Sequence, residues 1–132
     1  MAFFKDLTPY TYHRKNLVPN GLNVGWLSEG EPFPKGNVDS KLLDKLDELV
    51  LNPMHLMRGV HHCEFCPPPI YRRVEGKCAS ELVRDSPKGN GEIWVEGPGE
   101  VVFVAPVLIT HYIHEHQYLP PRQFLDAVRA IL

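Results

Sequence analysis

The residues able to do chemistry are concentrated in two short stretches. Gly59-Val-His-His-Cys-Glu-Phe-Cys66 carries His61, His62, Cys63 and Cys66 ahead of three prolines. Ile109-Thr-His-Tyr-Ile-His-Glu-His116 carries His111, His114 and His116. Together they hold five of the seven histidines and two of the three cysteines. Thiolate sulfur and imidazole nitrogen are the donors of tetrahedral zinc sites, and two cysteines separated by two residues in a tight loop can grip one ion. The expected ligands are Cys63, Cys66, His111 and His116, with a zinc ion whose role is mainly structural. His111 and His116 have the histidine spacing of Cys2His2 sites. Because 44 residues separate Cys66 from His111, the fold must bring the two halves together. His62, His114 and Cys78 are the alternative ligands.

Catalytic readings compete with the structural one. A catalytic zinc keeps one position open and needs a nearby base, for which Glu64, Glu92 and Glu115 are available. Glu92 follows Gly89-Asn-Gly91 and is expected to be a solvated turn residue, with a base role as the alternative. Cys63 paired with His111 or His114 would make a thiol nucleophile. A redox role for the cysteine pair lacks the βαβ pattern that usually surrounds one. His114-Glu115-His116 is not the metalloprotease helix motif, because its histidines stand two apart and diverge on a helix. The sequence has no glycine-rich phosphate loop or dinucleotide fingerprint. His61 is expected in solvent, and His13 and His55 stand alone.

The elements that must position these donors follow from pattern. A helix is expected over 39–51, capped by Asp39 or Ser40, with Leu42, Leu43, Leu46, Leu49 and Val50 forming one apolar stripe. Residues 22–27 read as a short strand with Val24 and Trp26 inward, preceded by an extended segment that Pro9 confines to an edge. Residues 54–62 read as a short strand leading into the cysteine loop, and 67–90 carry no clear period. Residues 91–96 and 100–104 form a hairpin across Gly97-Pro-Gly99. Ala105-Pro106 then opens a helix to about Tyr118, with Pro106 near its first position. A last helix is expected at about 121–131, with Phe124, Leu125, Val128 and Ile131 apolar. On the 106–118 helix, Ala105, Leu108, Ile109, Tyr112 and Ile113 mark the buried face. His116 falls on that face, His111 lies at its margin roughly 140° away, and His114 points outward.

With 132 residues, one domain spanning 1–132 is expected, long enough for a core of its own. Apolar residues at 43% and charged residues at 23% are ordinary for a soluble protein. A net charge of −2 argues against binding to nucleic acid. No apolar run approaches a membrane span, and the N-terminus does not resemble a signal peptide. Three cysteines make no disulfide framework, so a reducing cytoplasmic location is expected. Prolines number 13 and gather in connections, which predicts a loop-rich chain. The fold class expected is α+β, with a small, mostly antiparallel sheet and about three helices.

Three stretches also resemble a family of small uncharacterised bacterial proteins. They are Asp6-Leu-Thr-Pro-Tyr-Thr-Tyr12, His61-His-Cys-Glu-Phe-Cys66, and Ala105-Pro106 through Tyr118 with the following Pro120-Pro121. That resemblance implies no activity. The expectation is a zinc-containing binding or interaction module for an unknown protein or small-molecule partner. The alternatives are a small zinc- or thiol-dependent hydrolase, or a protein that neutralises a toxin partner.

Overall fold

The computed structural model describes residues 3–11, 20–54, 60–76 and 79–132. His13, His55 and Cys78 lie outside them. The chain is α+β; its described residues form three helices and three small sheets in which every strand pairing but one is antiparallel.

The central sheet has the order β1 (Gly21–Asn23), β7 (Val102–Pro106), β6 (Glu92–Glu96). β6 and β7 form the expected hairpin, from Glu92 opposite Pro106 to Glu96 opposite Val102, and Gly97 N–H donates to Val101 O at 2.8 Å across the turn. β1 runs parallel to β7 on its other side. Strand alternation divides the side chains between two faces. Ile93, Val95, Phe103 and Ala105 join the main core with the helices. Val104 packs with Tyr10 and Trp26 on the opposite face, beside Trp94 and Val102. The strand expected at 22–27 is shorter and shifted, yet Val24 and Trp26 are buried as expected. Pro9 forms only an isolated bridge to Leu22.

The hairpin's second strand is shifted two residues along the chain from the expected 100–104, to Val102–Pro106. Ala105 and Pro106 remain in β7, and α2 begins only at Ile109, so Pro106 does not start a helix. β1 pairs only as far as Val104. Pro106 therefore ends the ladder where no second neighbour requires its missing N–H.

α1 (Ser40–Leu49) is capped by the Asp39 carboxylate, which accepts from Lys41 N–H at 2.9 Å, and it buries Leu42 and Leu46. α3 (Arg122–Ala130) buries Phe124, Ala127 and Val128, whereas Ile131 lies beyond its end and is exposed. α1 packs on α2 and α3, and α3 packs on β6. α2 (Ile109–His116) is the buried helix, with Ile109, Tyr112 and Ile113 enclosed. Its approach to the sheet is close. Gly25 has φ +79°, and a Cβ there would meet Ile109 side-chain carbons at 3.0 Å. Glycine therefore supplies both the backbone angle and the clearance.

Residues 60–76 and 79–90 contain structure that the pattern did not reveal. β2 (His61–His62) pairs with β5 (Lys88–Gly89), and β3 (Ile70–Arg73) pairs with β4 (Ser80–Arg84). Every residue of β3 and β4 is exposed, so this hairpin stands as an arm from the body. Both of its ends return to the cysteine loop.

Candidate metal centre

The cysteine loop starts where β2 ends. Cys63 N–H donates to Pro87 O at 2.8 Å, which ties the loop to the segment leaving the arm. Cys66 N–H reaches back to Cys63 O at 3.4 Å and closes a turn. The turn also directs the Phe65 and Cys66 N–H groups at the Cys63 sulfur. Backbone N–H groups aimed at one sulfur stabilise it as a thiolate. Burial opposes this more strongly. Cys63 is 2% exposed, and desolvation pushes its thiol up to about 11, with Cys66 adding to the rise. The two cysteines are not joined by a disulfide.

α2 supplies the nitrogen donors. Its core-facing residues fix the helix against the sheet, which leaves His111 and His116 half-buried on the side facing the loop. They lie five positions apart, yet their rings are 5.0 Å apart between centroids. The helix ends at His116, where Gln117 takes a left-handed φ of 58° and its N–H bonds Tyr112 O. Burial, and then the neighbouring His116 charge, hold His111 below its ordinary value. That downward shift favours the neutral ring, the form that binds a cation.

These groups meet. Cys63 Sγ lies 3.3 Å from His116 Nε2, and Cys66 Sγ lies 3.3 Å from His111 Nε2 and 3.4 Å from His116 Nε2. One donor atom from each of the four residues falls within 4.8 Å of every other. A tetrahedral zinc with ordinary bond lengths separates sulfur from nitrogen by roughly 3.6 Å. The cluster therefore has the size and donor chemistry of such a site. Phe65, between the cysteines, packs on the His116 ring at 5.3 Å and edge-on to Tyr112 at 6.0 Å.

The remaining candidates are placed elsewhere. His62 Nδ1 lies 2.7 Å from Ser86 Oγ, and His114 Nε2 lies 3.2 Å from Asp47 on α1. His61, expected in solvent, is half-buried in β2. Cys78 lies outside the described residues. Glu64 is exposed, and its carboxylate accepts from Ser28 Oγ at 3.1 Å and Glu29 N–H at 3.4 Å. Glu115 is also exposed. Glu92 departs most from its expected position. It is fully buried rather than solvated, because the sheet carries it inward. Tyr10 Oη donates to its carboxylate, as does Trp94 Nε1 at 2.9 Å. Its backbone bridges Met54. Sequence gave no signal for this, since both hydroxyl and indole partners depend on strand pairing.

Cys63 pairs with His116 rather than with His111 or His114, and it is enclosed. Among the described residues no hydrogen bond joins Cys63 to His111 or His114, while all four donors of the cluster lie within 4.8 Å of one another.

Fold and cluster together define a small α+β protein carrying a Cys2His2 constellation of tetrahedral size. Within that class, the chain belongs to the family described as Domain of unknown function (DUF7919), which it matches over residues 2–129. No curated protein and no solved structure matches it. Among the described residues no helix is long and apolar enough to cross a membrane.

Proposed function

We propose that the protein binds one zinc ion through Cys63, Cys66, His111 and His116, that the ion is structural, and that the domain is a binding or interaction module. The observation that carries the proposal is the convergence of two sulfurs and two ring nitrogens, from segments 44 residues apart, at tetrahedral spacing. Mixed sulfur and imidazole donors in a closed tetrahedron favour zinc over magnesium or calcium, which take oxygen. Four protein donors fill the coordination sphere, which favours a structural ion over a catalytic one. Unbridged cysteines agree with a reducing compartment such as the cytoplasm.

The position of the cluster supports the interaction role. Both ends of the β3–β4 arm return to the cysteine loop, so an ion there fixes the base of the arm. The arm displays Ile70, Tyr71, Leu82 and Val83, which are 42% to 58% exposed. Grouped exposed apolar side chains of this size usually mark a contact surface.

Metal analysis of protein purified without a histidine tag tests the proposal. About one zinc per chain is expected, reduced to a small fraction in Cys66→Ser. A wild-type protein with no stoichiometric metal overturns the metal reading.

A further inference from the structure

The β3–β4 arm is a two-stranded sheet, and among the described residues each of its strands has one edge with no neighbour. A two-stranded ribbon on its own is marginally stable, and its free edges offer N–H and C=O groups to another strand. The two edges are not equivalent. Ile70 opposes Arg84 and Tyr71 opposes Leu82, so the register skips Val83 and β4 carries a bulge. A bulge blunts an edge against further pairing. β3 runs through Ile70–Arg73 without one, which leaves its edge the open one.

The two faces of the arm differ as well. Cross-strand partners share a face, and successive residues along a strand alternate between faces. Arg72 lies opposite Glu81 and is ion-paired with it, so that charge is already matched. On the other face Tyr71 lies opposite Leu82, and Arg73 lies opposite Ser80. Tyr71 is 58% exposed and Leu82 44%. Arg73 is exposed too, and no ion pair among the described residues includes it. This face therefore holds an apolar pair beside one uncompensated cation. Residues 70–84 carry four basic and two acidic side chains in a chain whose net charge is −2, so the arm is basic and the acidic excess lies outside it.

We infer that the arm takes an extended acidic polypeptide segment as a third strand along β3, with an apolar residue of that segment beside Tyr71 and a carboxylate two positions on beside Arg73. The inference rests on the interaction role proposed above and gives it a partner class. In strand addition the main-chain hydrogen bonds supply affinity and alternate side chains supply selectivity. A nucleic acid needs several cations for its phosphates, whereas this face offers one, next to an apolar pair. A second copy's arm would set two basic ribbons side by side, which is repulsive.

Selection from a library of random linear peptides on the wild-type protein tests this. Enriched sequences should alternate apolar with acidic residues. The affinity of a labelled synthetic copy, read by fluorescence anisotropy, should fall about tenfold in Arg73→Glu, because the lost attraction and the new repulsion are each worth a few-fold at an exposed site. Exchanging the acidic residues of the peptide for lysine should restore binding to Arg73→Glu and weaken it for wild type. Tyr71→Ser should also weaken binding. Both side chains are exposed, so the variants should melt with wild type. Peptides that bind wild type and both variants equally overturn the inference and leave an interaction role elsewhere on the protein. A library that yields no binder overturns the inference and the interaction role with it. Arm-dependent binding of a mixed-sequence DNA duplex, or arm-dependent self-association in sedimentation, with no acidic peptide bound, gives the arm another occupant and overturns the inference. Zinc content of the same samples is read separately, so a protein that binds the peptides but carries no metal upholds the inference and sinks the metal reading alone.

Discussion

Asp6 joins three distant parts of the chain through one carboxyl group. Oδ1 accepts from Gly25 N–H at 3.0 Å and Oδ2 accepts from Tyr118 Oη at 2.8 Å. Burial raises the Asp6 carboxyl above its ordinary range, although both hydrogen bonds pull the other way. The folded protein therefore holds this proton more tightly than the unfolded chain. Its contribution to stability falls as pH rises through the window between the unfolded and folded values, and is recovered as pH drops. Asp6→Asn keeps only one acceptor oxygen for two donors and should cost about 1–3 kcal/mol near neutral pH. The deficit of the variant should widen as pH is lowered toward the unfolded carboxylate range just below 4, because only wild type gains from protonation. Urea unfolding of both proteins at several pH values checks the sign. A deficit that shrinks on acidification would refute it. None of this was legible in the sequence, where Asp6 is one of 16 acidic residues.

Among the elements, α1 was fully legible because its stripe repeats with the helical period and Asp39 caps it. α2 was legible in its buried face but not in its start, since β-sheet pairing carried Pro106 into the strand before it. Its end depends on Gln117, a side-chain-bearing residue at a φ of 58°. Glycine adopts that conformation without the Cβ penalty. Gln117→Gly should therefore stabilise the protein by about 0.5–1 kcal/mol, read as a melting temperature higher by a few degrees. Because His116 keeps its backbone position, zinc affinity should stay within about twofold. The β3–β4 arm was invisible to periodicity for a physical reason. A strand exposed on both faces has no alternation to display.

For the molecule as a whole, removal of metal is expected to act unevenly. The central sheet and three helices share a continuous apolar core that contains Val24, Phe103, Tyr112, Phe124 and Val128. The cysteine loop and the arm add little to it beyond Cys63, Phe65 and Cys66. A chelator should therefore lower the melting temperature without abolishing cooperative unfolding. Amide hydrogen exchange should accelerate in residues 60–76 and 79–89 while β6, β7 and α3 stay protected. Equal acceleration everywhere would mean that the ion supports the whole fold. Acidification should mimic the chelator, because protons compete with the metal for thiolate and imidazole.

The sequence by itself determined the fold class, the helices with periodic stripes, the β6–β7 hairpin, and the two residue types, cysteine and histidine, that offer sulfur and nitrogen. These follow from local rules of periodicity, turn chemistry and donor identity. Tertiary structure decided which donors meet. His116 and His111 face the loop because core packing fixes the rotation of α2, while His62 and His114 are turned toward Ser86 and Asp47. It also buried Glu92 and left the Tyr112 hydroxyl without a hydrogen-bond partner among the described residues. Each of those outcomes depends on contacts between segments far apart in the chain, and no local pattern encodes them.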